Sequence, residues 1–240
     1  MQRLDTYCAA LLSSRTKAQE AIASGCVKVN GITIYKNAML VNANDEVVID
    51  TQGLLLGRAG YKLRGFINEL IRQGLWERDY LKDKRVLDIG SSTGGFTQVL
   101  LEEGIKEIIC VDVGKNQLHS DIRNDRRVKV FEECDVRNFS DEGSFDLLVC
   151  DVSFISLYKL IESFKRIQSR DYIWLFKPQF EVGKDAKRDK KGVLKDKHLG
   201  EEYVRAFCEH IQNDFRILHI QQSILKGKEG NEEFFIYGRK

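Results

Sequence analysis

Apolar residues recur along this chain with a period that changes near residue 50, and the change divides it into two units. In the first unit Leu4, Cys8, Leu11 and Leu12 fall at helical spacing, and Ser13 or Ser14 predicts the cap of a second helix running through Ile22. Val27-Lys28-Val29 and Ile32-Thr33-Ile34 then alternate around Asn30-Gly31. Both central residues tolerate positive φ, so the segment predicts a two-residue hairpin. Val47-Val48-Ile49 predicts another short strand, which closes a small α+β unit over residues 1–50. Residues 51–58, with glycines at 53 and 57, read as a linker to a second unit over 59–240.

In that second unit strands alternate with helices. Leu63, Phe66, Ile67, Leu70 and Ile71 mark one helix face. Apolar runs predict strands over 107–113, 128–134, 145–151 and 172–177. A helix over 204–211 and strands over 217–224 and 234–237 follow. Alternation of this kind belongs to an α/β fold, a doubly wound, Rossmann-like parallel sheet. The stretch 182–197 is rich in Lys, Asp and Gly without periodicity and reads as a mobile surface loop.

The stretch Arg85-Val-Leu-Asp-Ile-Gly-Ser-Ser-Thr-Gly-Gly-Phe96 reads as a buried strand entering a glycine-rich turn that opens a helix. Gly90, Gly94 and Gly95 let the backbone pass close to a ligand, at the carboxyl end of a strand where such sheets bind. The spacing is not G-x-G-x-x-G, the arrangement that seats a pyrophosphate on a helix amino end. Asp88 stands inside the strand end, and Ser91, Ser92 and Thr93 fill the turn. A carboxylate there suits a ligand with an amine and no phosphate, such as S-adenosylmethionine; the bland alternative is a plain tight turn.

Three acidic residues close successive strands. Asp112 is placed for the ribose hydroxyls of a nucleoside cofactor, Asp135 for an adenine amino group, and Asp151 where a methyl group would be delivered. Asp112 alone would equally suit NAD. Lys62 lies on an early helix and Glu233 near the last strand. Lys177 ends the apolar run Ile-Trp-Leu-Phe, before the only proline. A lysine there is either salt-bridged for structure or placed for function, because burial and neighbouring cations make a neutral amine available as a base.

Composition narrows the classes. With 42% hydrophobic and 31% charged residues the chain is an ordinary globular protein, and its net charge of +2 neither demands nor excludes nucleic acid. Six scattered cysteines without a C-x-x-C pair predict neither a zinc site nor a disulfide framework. The amino terminus lacks a signal peptide's apolar core, and no apolar run reaches the roughly 18 residues that span a bilayer, which predicts a cytoplasmic protein and no membrane partner. Arg3, Arg15, Lys17 and Lys28 give the first unit a basic face, either solvated surface or an RNA contact; Arg15 alternatively braces the fold.

The elements Arg3-Leu-Asp5, Ser14-Arg15, Lys17-Ala18, Ile22, Gly25, Val27, Val29-Asn-Gly31 and Asp45 resemble the small RNA-binding domain named after ribosomal protein S-four. By that resemblance Arg3, Arg15, Lys17 and Lys28 would contact RNA phosphates. Lys62, Asp151, Lys177 and Glu233 resemble the Lys-Asp-Lys-Glu tetrad of FtsJ-type ribose 2′-O-methyltransferases. Joined, the two units look like the TlyA family of rRNA cytidine 2′-O-methyltransferases, also labelled hemolysins. The motifs are Gly60-Tyr-Lys62, Asp88 through Phe96, Asp151-Val-Ser-Phe-Ile155, Lys177-Pro-Gln-Phe-Glu181 and Gly230-Asn-Glu-Glu233-Phe. Gly57-Arg58-Ala59-Gly60 departs from the family's Ser-Arg-Gly start. Glu232 adjoins Glu233, but strand alternation lets only one face the site.

The resemblance implies S-adenosylmethionine held by Asp88, Gly90, Ser91, Gly94, Gly95, Phe96, Asp112, Asp135 and Asp151, and no metal. It implies rRNA or a ribosomal subunit as partner, the large subunit first and the small subunit as a further possibility. Lys177 would activate the acceptor hydroxyl, Asp151 would orient it, and Lys62 and Glu233 would hold the ribose. No particular oligomeric state is implied. The competing classes are a nicotinamide oxidoreductase, which the glycine spacing disfavours, a non-catalytic RNA-binding protein, which four filled tetrad positions disfavour, and a membrane-lytic protein, which needs an amphipathic or apolar segment.

Overall fold

The computed structural model describes every residue except 13, 51–53, 184, 185 and 197, so Ser13 and part of the expected linker lie outside the described residues. The amino-terminal unit holds β1 (Gln2–Arg3), α1 (Leu4–Leu12), α2 (Arg15–Ala23), β2 (Val27–Val29), β3 (Ile32–Thr33), β4 (Leu40–Val41) and β5 (Val47–Ile49). Ser14 caps α2, its hydroxyl accepting from the backbone N–H of Lys17. Asn30 and Gly31 both take positive φ, 51° and 79°, as a hairpin twisting with its strands requires. Strand β2 lies between β3 and β5, burying Val27 and Val29 and exposing Lys28. Leu4, Cys8, Ala18, Ile22 and Val41 complete this small core. The β1–β4 pair was not expected, because two-residue strands carry no periodic signal.

The second unit begins with α3 (Gly57–Arg72), so Gly57 and Arg58 belong to a helix and not to the linker. Gln98 satisfies the preceding segment, accepting from the Leu56 N–H at 2.6 Å and donating to the Leu54 carbonyl. There follow β6 (Arg85–Ile89), α4 (Gly95–Glu102), β7 (Glu107–Val111), α5 (Ser120–Arg123), β8 (Val128–Phe131) and β9 (Phe145–Cys150). After a 3-10 turn come α6 (Ile161–Arg166), β10 (Ser169–Phe176), α7 (Pro178–Glu181), α8 (His198–Ile211), β11 (Arg216–Gln222) and β12 (Phe234–Arg239).

The sheet runs β11-β12-β10-β9-β6-β7-β8. Strands β6 to β10 pair in parallel, and β12 inserts antiparallel between β10 and β11. Helices cover both faces, which is why the strands read as unbroken apolar runs. Leu148, Cys150, Tyr172, Trp174 and Phe176 enter one core, while Leu147, Val149, Ile173 and Leu175 enter the other. From β6 the chain proceeds to β7 on one side and later returns to β9 on the other. That reversal opens a crevice at the carboxyl ends of β6 and β9, the place where sheets of this kind bind ligands.

The segment after α7 has no helix or strand of its own among its described residues, but it is held down. Arg188 donates to the carbonyls of Gln179, Val182, Gly183 and Ala186. The buried Asn231 side chain accepts from Leu194 N–H and donates to the Gly192 carbonyl. A loop expected to be mobile is thus tied at both edges.

Candidate active site

Two recesses meet at the carboxyl edge of the sheet. The first, about 360 Å³, lies over the β6–β9 reversal. Gly90 makes its floor possible: φ is 78°, and a Cβ would stand 2.7 Å from the Asp151 carbonyl oxygen. Any side chain there would push β6 and β9 apart. Asp112 lines the recess with its carboxylate fixed on both sides, accepting from Ser92 N–H at 2.8 Å and Gly114 N–H at 2.7 Å. Asp135 also lines it, but both its oxygens are engaged by the Arg137 guanidinium, which holds this carboxyl below the usual range. An adenine amino group would share that carboxylate with Arg137. Val111, Val136, Ile155 and Leu160 supply apolar wall.

Other residues expected at this recess stand elsewhere. Asp88 is fully buried and is not among the residues lining this recess. Alternation along β6 puts it on the face of Val86, under α4, where Thr97 donates its hydroxyl at 2.6 Å. Burial, with Asp151 and Asp112 adding repulsion, pushes the Asp88 carboxyl up to about 7. It lies beneath the glycine turn, held by Thr97. Phe96 is core, stacked on Phe235 at 6.1 Å. Gly95 abuts the Leu56 carbonyl where α3 packs on α4, and Gly94 faces Leu118 and Ile122. Ser91 is buried in the turn, while its neighbour Ser92 reaches the wall. The glycine turn thus shapes the crevice, and only part of it faces the crevice.

The second recess, about 630 Å³, is lined by Lys62, Lys177 and Glu233. Lys62 Nζ and Glu233 Oε2 form a buried ion pair at 2.6 Å. Gly227 admits it: a Cβ there would stand 2.6 Å from Glu233 Oε1. Glu232 turns away and pairs with Lys226 at 3.3 Å, so one glutamate of the two faces the site. Lys177, beyond β10, meets Asp151, beyond β9, at 2.6 Å and donates to Ser153 Oγ at 2.9 Å. All four expected tetrad residues are brought together as two ion pairs. Asp151 lines the first recess, Lys177 the second, and Ser153 and Phe154 line both.

Ser153 carries a sequence signal, since it follows Asp151 by two and shares its side of an extended chain. Phe154 is 91% exposed at positive φ, 65°, with its ring 5.2 Å from that of Phe180. Arg58, Arg188, Lys191 and Lys228 rim the second recess and have no periodic signature. In the amino-terminal unit Arg3 and Arg15 converge on the buried Asp5, at 2.9 and 3.1 Å, with Gln19 donating at 3.0 Å. These donors hold the Asp5 carboxyl far below the usual range. Arg15 therefore does brace the fold, with its guanidinium still half-exposed. Lys17 and Lys28 are exposed on separate elements. Among the described residues no cluster could hold a metal ion, and no helix is long and apolar enough to cross a membrane.

Known proteins resemble this chain in sequence and fold. The FtsJ-like methyltransferase family matches residues 55–240 and the S4 domain matches residues 2–47. The 23S rRNA (cytidine-2′-O)-methyltransferase TlyA of Campylobacter jejuni is 40% identical, over 93% of this chain and 93% of its own. The 16S/23S rRNA (cytidine-2′-O)-methyltransferase TlyA of Mycobacterium tuberculosis is 35% identical, over 95% of this chain and 85% of its own. A solved structure from Streptococcus thermophilus, provisionally labelled a hemolysin, is 28% identical with a TM-score of 0.69, covering 100% of this chain and 88% of that one. The chain belongs to the TlyA family of FtsJ-like methyltransferases, in which the catalytic unit follows an S4 domain.

Proposed function

We propose that the protein transfers a methyl group from S-adenosylmethionine to the ribose 2′-hydroxyl of a cytidine in rRNA, the large-subunit RNA first. The observation that carries this reading is the Asp151–Lys177 pair at the wall between the two recesses, one residue facing each. A donor in the first and a ribose in the second would meet across that pair. The fit of the donor rests on this chain's own residues: Gly90 lets the backbone close up beside Asp151 where a Cβ would collide, and a fixed carboxylate and apolar walls suit a cationic nucleoside. A pyrophosphate would find three carboxylates, Asp112, Asp135 and Asp151, along the same wall.

When bound, S-adenosylmethionine supplies a methyl group already activated on a sulfonium. The residues of the chain provide alignment and a proton acceptor. Asp112, held by two backbone N–H groups, presents free lone pairs to ribose hydroxyls. Lys177 first gives up its ion-pair proton to solvent; its amine then takes the proton of the 2′-hydroxyl as that oxygen accepts the methyl group. Asp151 and Ser153 fix the position of Nζ. Lys62 and Glu233, which line the same recess, hold the ribose. Phe154 offers an exposed ring on which an unstacked base can rest.

The test is incubation of purified protein with labelled S-adenosylmethionine and unmodified rRNA, followed by digestion to nucleosides. Label in 2′-O-methylcytidine supports the reading; label confined to a base, or NAD binding without S-adenosylmethionine binding, overturns it.

A further inference from the structure

A third recess, about 350 Å³, lies between the two units. Thr16, Gln19 and Glu20 of α2 form one side, and Arg58, Tyr61 and Lys228 form the other. Arg58 and Lys228 also line the acceptor recess, so these two cations stand on the boundary that both cavities share. Arg58 is oriented by donation to the Lys226 carbonyl at 2.7 Å, while its Nε is buried without a protein partner. A guanidinium aimed but incompletely satisfied is suited to an incoming oxyanion, which its remaining N–H groups can grip in a fork.

We propose that the cleft between the units seats the single RNA strand adjoining the target nucleotide, and that Arg58 and Lys228 grip its phosphates where it enters the acceptor recess. The inference rests on the reading that the protein methylates RNA. Charge gives the strand an orientation in the cleft. Glu20, on the α2 side, repels a phosphate, whereas Arg58 and Lys228 opposite attract one. The phosphates of this segment therefore lie toward the catalytic unit and its bases toward α2. Beyond Arg58 the second recess carries Lys191 on its rim and the exposed Phe154 ring on its wall. Cations that track a backbone, together with an aromatic face for a base, are the features that bind single strands without reading sequence. Arg58 and Lys228 are thus positioning residues: they set which ribose stops beside Lys177.

The full-length protein is titrated with unmodified rRNA over a series of salt concentrations, alongside the variants Lys228→Gln, Arg58→Gln and the double substitution. Each released phosphate contact should lower the slope of log affinity against log salt by about 0.7. Lys228→Gln alters an exposed side chain, so it tests the idea even where Arg58→Gln fails to fold. S-adenosylmethionine affinity should stay at the wild-type value in all folded variants, while kcat/KM for RNA falls about tenfold in the double variant. A folded double variant with wild-type slope and wild-type kcat/KM overturns the inference. Wild-type protein that leaves rRNA unmethylated instead overturns the underlying reading, a separate result.

Discussion

Asp151 and Lys177 stand 2.6 Å apart at the ends of neighbouring parallel strands, and each lines a different recess. Strands β9 and β10 are in register with Cys150 opposite Trp174. Asp151 follows its strand directly, while Lys177 lies three residues past Trp174 and reaches back across. The pair therefore depends on two buried strands and not on a loop, so its geometry is as rigid as the core beneath it. Rigid placement is what a methyl transfer needs, since the energy available from alignment is lost by small displacements.

Asp88 predicts a pH dependence of stability. Its folded carboxyl titrates near 7, above the ordinary value of about 3.9 for the unfolded chain. The folded state therefore holds a proton that the unfolded state has released between those values, and stability falls as pH rises through that window. The full effect is on the order of 4 kcal/mol, and it levels off above the folded value. Urea melts from pH 4 to 8 should show this contribution in the wild type and lose it in Asp88→Asn.

Asp5 predicts the opposite sign in the amino-terminal unit. Arg3, Gln19 and Arg15 stabilise its ionised form, so its contribution is present above the ordinary carboxylate range and is lost as pH falls below it. Asp5→Asn should loosen this unit first. Amide exchange would show faster opening of α1 and α2 with the sheet of the second unit unchanged.

Lys62 and Glu233 form an ion pair whose side chains are 8% and 4% exposed. Removing one partner leaves a buried charge, which typically costs about 3–5 kcal/mol. Glu233→Ala should therefore lower both stability and methyl transfer, whereas Lys62→Met with Glu233→Gln should regain much of the stability without the activity. A urea melt and a turnover assay on the same samples check this.

The basic face of the first unit predicts a salt effect. Lys17→Gln should lower the slope of log rRNA affinity against log salt by about 0.7 with no change in melting temperature. Arg15→Gln should change both, because Arg15 also holds Asp5.

Periodicity made the sheet legible because every central strand is covered on both faces and reads as an apolar run, as Leu147 through Cys150 does. It missed α5 and α6, which are four and six residues long and offer too few turns for a repeat. The tetrad is legible because Lys177 closes an apolar run, where a charge is costly unless paired, and because all four residues stand in motifs that resemble the family's. Asp88 is read with the turn because the two are contiguous in sequence, yet alternate side chains of one strand face opposite cores; Gly95 and Phe96 fall on the face of α4 that packs inward. Arg58 and Lys228 are 170 positions apart and become neighbours only through the folding of the second unit, so no local pattern marks them.

The central claim, that Lys177 acts on the acceptor hydroxyl, is tested most directly by single-turnover methylation of rRNA with Lys177→Ala, paired with a thermal melt of the same preparation. The account predicts a folded protein that binds S-adenosylmethionine and rRNA nearly as the wild type does, with the methyl-transfer rate reduced by about a hundred- to ten-thousand-fold. Lys177→Arg should be comparably slow, since a guanidinium keeps its proton. A near-normal single-turnover rate in folded Lys177→Ala protein would contradict it.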